Sequence, residues 1–130
     1  MSKNLAIIKE SYAAGANNDI LGMLKDLAEE GIWIETAGGP YGGTYVGKDS
    51  ILKDVFGRIK NDWETFICIP EDFYDAGNTV IMTGWYKGIN LQTKKEFKTR
   101  VAHVWQLSGD QIIKFEQFMD SATLLEAMKN

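Results

Sequence analysis

The hydrophobic rhythm of the chain changes near Trp63. Before it, apolar residues recur at helical spacing. Leu5, Ile8 and Tyr12 predict a first helix, with Gly15 placed to end it. Asn18 is positioned to cap a second helix, with Asp19 near its positive end. Leu21, Leu24, Leu27 and Ala28 form its apolar face, and Gly31 closes it. "IWIET" reads as a short strand, and "AGGPYGGTYVG" as a glycine-dense loop. Ile51, Leu52, Val55, Phe56 and Ile59 mark a third helix over about 49–61. After Trp63 the pattern is extended: "TFICI", "TVIMTGWYKG", "EFKTRVAHVWQL" and "QIIKFEQFM" read as strands. "DAGN" and "SGDQ" punctuate them. "DSATLLEAMK" is a short C-terminal helix with Asp120 as candidate N-cap. Helices followed by a run of antiparallel strands define an α+β chain, a single domain over 1–130 with helices on one face of a curved sheet.

The last hairpin carries His103, the one histidine in the sequence. With Gly109-Asp110 as a two-residue type II′ loop, Ser108 faces Gln111 and His103 faces Glu116. Val101 then faces Phe118, and Thr99 faces Asp120. This register sends Thr99, Val101, His103, Trp105, Leu107, Ile112, Glu116, Phe118 and Asp120 inward. A three-residue loop would put Asp120 on the face opposite His103. An imidazole and a carboxyl among apolar walls are the ingredients of a small-molecule pocket able to move protons near neutral pH. Blander roles stand beside this one: Asp120 as a helix cap, His103 as a hydrogen-bonded core residue, Glu116 facing solvent after a local bulge.

Composition narrows the function classes. The net charge of -4 argues against a nucleic-acid binder. Lys94, Lys95, Lys98 and Arg100 are interrupted by Glu96 and read as a solvated hairpin end. No stretch approaches the roughly 20 apolar residues of a membrane span, and the N-terminus lacks a secretory pattern, so a cytoplasmic protein is expected. The single cysteine, Cys68, reads as a small buried hydrophobe. One histidine, one cysteine and scattered acids form no metal-ligand cluster. The glycine-rich loop lacks the Gly-Lys-Ser/Thr ending of a phosphate-binding loop.

Three segments carry a family resemblance: "GPYGGTYVGKDSILKDVF", "DWETFICIPEDFYDAGNTVIMTGWYKG" and "FKTRVAHVWQLSGDQIIKFEQFMDSA". Together they resemble the nuclear transport factor 2-like superfamily, in the branch of SnoaL-like polyketide cyclases and ketosteroid-isomerase-like proteins. The family's His-Val-Trp strand ending, Gly/Asp turn, Ile and exit Asp correspond to His103-Val104-Trp105, Gly109-Asp110, Ile112 and Asp120. The resemblance implies a cone: three helices around a curved antiparallel sheet, with a deep hydrophobic cavity open at one end. It also implies homodimers through the sheet's outer face and chemistry without metal or organic cofactor. By this resemblance Asp120 is the general acid/base and His103 lines the pocket or polarises the substrate oxygen. Trp105, Phe118, Tyr45, Tyr86, Trp33, Tyr12 and Glu116 are the candidate ligand contacts. Epoxide hydrolases of this fold are disfavoured, because Arg100 is followed two positions later by Ala102 where they carry an aspartate.

The resulting expectation is a cofactor-independent cyclase or isomerase acting on a hydrophobic carbonyl compound. Its alternatives are a non-catalytic binder or carrier of such a molecule, and a protein-interaction scaffold.

Overall fold

The computed structural model describes residues 1–130. Helix α1 (Lys3–Ala16) starts at Ser2, whose side chain accepts from the Leu5 amide at 3.1 Å. A single turn, α2 (Ile20–Met23), follows. Then come strands β1 (Leu27–Glu35) and β2 (Gly43–Val46). A continuous helical run is built from α3 (Lys48–Ile51), a π-helical segment (Leu52–Phe56) and α4 (Gly57–Asp62). Strands β3 (Trp63–Ala76), β4 (Thr79–Asn90), β5 (Glu96–Ser108) and β6 (Gln111–Met119) lead into α5 (Ser121–Ala127). The α+β assignment holds. The six strands form one curved, unclosed sheet in the order β2-β1-β6-β5-β4-β3. All neighbours are antiparallel except β1 and β6, which are parallel. No helix is long and apolar enough to cross a membrane.

Strong curvature has a local cause. Gly84 and Gly88 lie on the inner face of β4. A Cβ there would sit 2.3 Å from the Ile69 carbonyl oxygen and 2.2 Å from that of Thr65. Only glycine lets the edge strand β3 fold over β4 this closely. Pro70 falls at a bulge in β3, a position an edge strand tolerates because no ladder N–H is needed there.

Two expectations for the N-terminal half are corrected. The second helix stops at Met23, and the chain is extended from Leu27. Asp19, rather than Asn18, caps the turn, accepting from Gly22 N at 2.9 Å. The Ile112 amide donates to the Asp26 carbonyl at 2.7 Å, which ties this segment to β6 and overrides its helical spacing. Gly31 therefore ends no helix. It sits at an irregularity of β1, where a Cβ would meet Leu27 Cδ1 at 2.6 Å.

The last hairpin is corrected in register. Its loop has two residues as expected, but Gly109 and Asp110 have φ of 53° and 69°, so the turn is type I′. Ile113 is then inserted as a bulge: Leu107 pairs with Ile112, yet Gln106 pairs with Lys114. Every residue beyond it changes face. Val104 pairs with Glu116, Ala102 with Phe118, and His103 with Gln117. Glu116 and Phe118 accordingly point away from the core, and Phe118 is 50% exposed.

The core is split in two. One cluster centres on Ile8, Trp33, Ile51, Trp105 and Phe115, the other on Trp63, Met82, Phe97, Val101 and Leu124. On β5, His103 falls between Val101 of one cluster and Trp105 of the other.

Candidate functional site

A cavity of about 610 Å³ opens between the helices and the inner face of the sheet. Its walls come from α1, β1, the α3–α4 run, and strands β3 to β6. Apolar residues dominate, among them Met23, Leu52, Val55, Phe56, Ile59 and Phe66. Ser11, Asn18, Lys60 and Glu64 also line it, and Tyr12, Glu35, Tyr86, His103 and Gln117 form its buried polar group.

His103 is 4% exposed and joins two tyrosines. Its Nδ1 lies 2.6 Å from the Tyr12 hydroxyl and its Nε2 2.6 Å from the Tyr86 hydroxyl. Each hydroxyl also accepts a fixed N–H: Tyr12 from Trp105 Nε1 at 2.8 Å, Tyr86 from Gln117 Nε2 at 2.7 Å. Burial lowers the imidazole pKa to about 3, so His103 is neutral at physiological pH. Burial likewise raises both tyrosines well above their usual value and keeps them protonated.

Glu35 is the last residue of β1 and is 5% exposed. Its Oε2 accepts from Trp33 Nε1 at 2.9 Å and from Gln117 Nε2 at 3.5 Å. Oε1 makes no protein hydrogen bond, and no fully buried side-chain oxygen in the molecule lacks a partner. Oε1 therefore faces the cavity. Burial raises the carboxyl pKa to about 7, partly offset by the Trp33 and Gln117 hydrogen bonds. Gln117 is held by Thr36, whose Oγ1 donates to Gln117 Oε1 at 2.9 Å.

Of the residues singled out from sequence, Tyr12, Trp33, Tyr86, His103 and Trp105 line this cavity. Asp120, Glu116, Phe118 and Tyr45 do not. Asp120 is exposed at the start of α5, where its side chain accepts from Ala122 N at 3.1 Å and Thr123 Oγ1 at 2.8 Å. The sheet ends at Met119, which pairs with Val101, and Asp120 follows outside the ladder, its carbonyl accepting from Thr99 Oγ1 at 3.2 Å. Tyr45 donates to the Tyr41 carbonyl at 2.6 Å and braces the glycine-rich loop. Glu35 and Gln117 were not among the sequence candidates. Alternation from Gly31 through Trp33 was the available signal for Glu35, since residues two apart on a strand share a face. Cys68, also in the cavity wall, adds nothing reactive: burial pushes its thiol up to about 12.

An α+β cone with an apolar cavity and a few convergent polar groups is the architecture of a small-molecule-binding protein. An NTF2-like protein from Burkholderia thailandensis E264 is 38% identical over the full length of both chains, with a TM-score of 0.96. The chain belongs to the NTF2-like family. An NTF2-like protein of unknown function from Burkholderia pseudomallei K96243 shares 22% identity over both full lengths, with a TM-score of 0.93. TerC, crystallised with polyporic acid, shares 20% identity over 99% of this chain and 100% of its own, with a TM-score of 0.89. No family model and no curated protein matches the sequence.

Proposed function

We propose that the protein is a cytoplasmic, cofactor-independent acid/base enzyme of the cyclase or isomerase type, acting on a hydrophobic carbonyl compound. The observation that carries this reading is Glu35: a buried carboxyl with one oxygen open to an apolar cavity that Tyr12 and Tyr86 also line, Tyr86 being linked to it through the Gln117 amide. A pKa of about 7 leaves the group divided between its acid and base forms at neutral pH, where general acid/base catalysis is most effective. Glu35 takes a proton from a carbon beside the substrate carbonyl. A tyrosine hydroxyl donates to the carbonyl oxygen as it gains negative charge. Glu35 then returns the proton at a second atom. Ketosteroid isomerase divides the work in the same way, between a carboxylate base and acidic hydrogen-bond donors. Asp120 is engaged in capping α5 and has no part in this scheme.

The chemistry is tested by solvent deuterium exchange into 2-tetralone, an apolar ketone with acidic carbon-bound hydrogens, followed by NMR. Wild type is expected to accelerate exchange over buffer, Glu35→Gln to lose at least about 100-fold of that acceleration, and Asp120→Asn to keep it. Exchange in Glu35→Gln equal to wild type removes Glu35 from the mechanism. Saturable binding without acceleration supports the binder reading.

We further propose that the outer sheet face, where Ile69, Tyr74 and Phe118 are exposed, joins two copies of the chain. Sedimentation of Phe118→Glu beside wild type tests this: a dimer for wild type and a monomer for the variant is expected.

A further inference from the structure

The hydrogens of the Tyr12–His103–Tyr86 group do not match its acceptors. A neutral imidazole carries one N–H and one bare nitrogen. Its two contacts with the tyrosine hydroxyls therefore differ in direction. At one, the tyrosine donates to the bare nitrogen. At the other, the ring N–H donates to the tyrosine oxygen. That second tyrosine already accepts an N–H, from Trp105 if it is Tyr12 and from Gln117 if it is Tyr86. Its own hydroxyl hydrogen has no acceptor in the protein. The mismatch holds for either tautomer. With Nδ1 protonated the free hydrogen is on Tyr12, and with Nε2 protonated it is on Tyr86. Both tyrosines line the cavity.

We propose that His103 is a positioning residue, a neutral tautomer switch that always leaves one of the two tyrosine hydroxyl hydrogens free to meet a ligand oxygen. It does not touch the ligand's reacting atoms, since both of its nitrogens are covered by tyrosine oxygens. Its work is to set which tyrosine donates. A ligand that brings an acceptor oxygen to one tyrosine selects the tautomer that frees that tyrosine. A ligand without an acceptor selects neither. The ligand class is thus an apolar molecule with a carbonyl or enolate oxygen. This rests on the cavity being the ligand site, and is independent of whether Glu35 transfers a proton.

Because the sequence has one histidine, nitrogen-15 labelling of histidine gives one pair of ring signals. The probes are 2-tetralone and its hydrocarbon counterpart 2-methylidenetetralin, which replaces the carbonyl oxygen with a CH₂ group. Between pH 6 and 8 the free protein is expected to show one N–H-type and one bare-type nitrogen, or their tautomeric average. The ketone shifts that ratio to one extreme and the hydrocarbon leaves it in place. The ketone also binds about tenfold more tightly, the worth of one hydrogen bond to an otherwise unpaired donor. His103→Gln, with one donor and one acceptor end, keeps this preference, and so does His103→Phe, which leaves both tyrosine hydroxyl hydrogens without a protein acceptor. A preference lost in His103→Phe at full folding would place the donor on the imidazole and overturn the proposal. Two protonated ring nitrogens at neutral pH would overturn the proposal, as would a protein that does not distinguish the two probes in spectrum or affinity. A preference that vanishes above pH 7 would assign the donor to protonated Glu35 and overturn it equally. In Glu35→Gln the tautomer shift persists if this proposal is right, even where deuterium exchange in wild type shows the enzymatic reading to be wrong.

Discussion

Glu35 and Asp120 leave the ends of neighbouring parallel strands, β1 and β6. Both are carboxyls, and their surroundings make them different chemical groups. Glu35 ends a strand on its inner parity, between Trp33 and Gln117, and burial lifts its pKa to about 7. Asp120 lies one residue past the end of its strand and turns to the first amides of α5. Position in the chain and residue type do not make an acid/base group. Strand parity and the partners at the strand's end do. One inserted residue, Ile113, sets that parity along β6.

A change of parity along β6 has the largest expected effect. Ile113 is the extra residue opposite the Leu107–Gln106 step, so deleting it converts the bulge into a regular ladder and keeps Phe115 and Gln117 facing inward. That variant should fold with the same cavity. Deleting Glu116, in the regular part of the same strand, forces either Phe115 or Gln117 outward, and Phe115 is 1% exposed in the core. The expected loss exceeds about 4 kcal/mol, enough to abolish cooperative unfolding. Thermal melts followed by circular dichroism compare the two. Equal melts for both deletions would show that parity along β6 is not specified as described.

How much of this was legible follows from the same parity. The inner face of β5 was readable because Thr99, Val101, His103, Trp105 and Leu107 alternate without interruption. The division into early helices and later strands was readable from the change of period at Trp63. The bulge was not, because Ile112 and Ile113 are both apolar and satisfy either register equally. Glu35 was hidden differently. The strand that carries it begins in a segment whose Leu24, Leu27 and Ala28 have helical spacing, so only a fragment of β1 showed its alternation. An inward glutamate also contradicts the usual exposure of that residue type, and its burial is made tolerable by Trp33 on the same strand together with Gln117, which is distant in sequence. Such long-range pairing leaves no local mark.

The two buried titratable groups give stability an opposing dependence on pH. Glu35 has its pKa raised on folding from 4.5 to about 7. The folded state then holds the proton more tightly than the unfolded state, so this contribution is full below pH 4.5 and is lost as pH rises through 7. The loss is about 3 kcal/mol. His103 has its pKa lowered from 6.5 to about 3, so its contribution is full above pH 6.5 and is lost as pH falls toward 3. The opposing slopes overlap between pH 4.5 and 6.5, where stability should be nearly flat, falling on either side. Urea midpoints from pH 4 to 9 check this. Glu35→Gln should remove the decline between pH 6.5 and 8, and Asp120→Asn should leave it unchanged. A decline that survives in Glu35→Gln would show that the carboxyl is not held in its acid form by burial.

The smallest effect is the one that isolates Asp120. Its side chain accepts two hydrogen bonds at the start of α5, and that helix buries Leu124 and Ala127 against the second core cluster. Asp120→Ala removes the cap and should cost about 1 kcal/mol. Asp120→Ser or Asp120→Asn, which still accept from the Ala122 amide, should recover most of it. Because Leu124 packs beside Val101, two positions along β5 from His103, a frayed α5 could reach the cavity through the core. Deuterium exchange into 2-tetralone separates the two effects. A cap alone lowers the melting temperature and leaves the exchange rate of the folded protein as it was, whereas a tenfold loss of exchange in Asp120→Asn at full folding would return Asp120 to the chemistry.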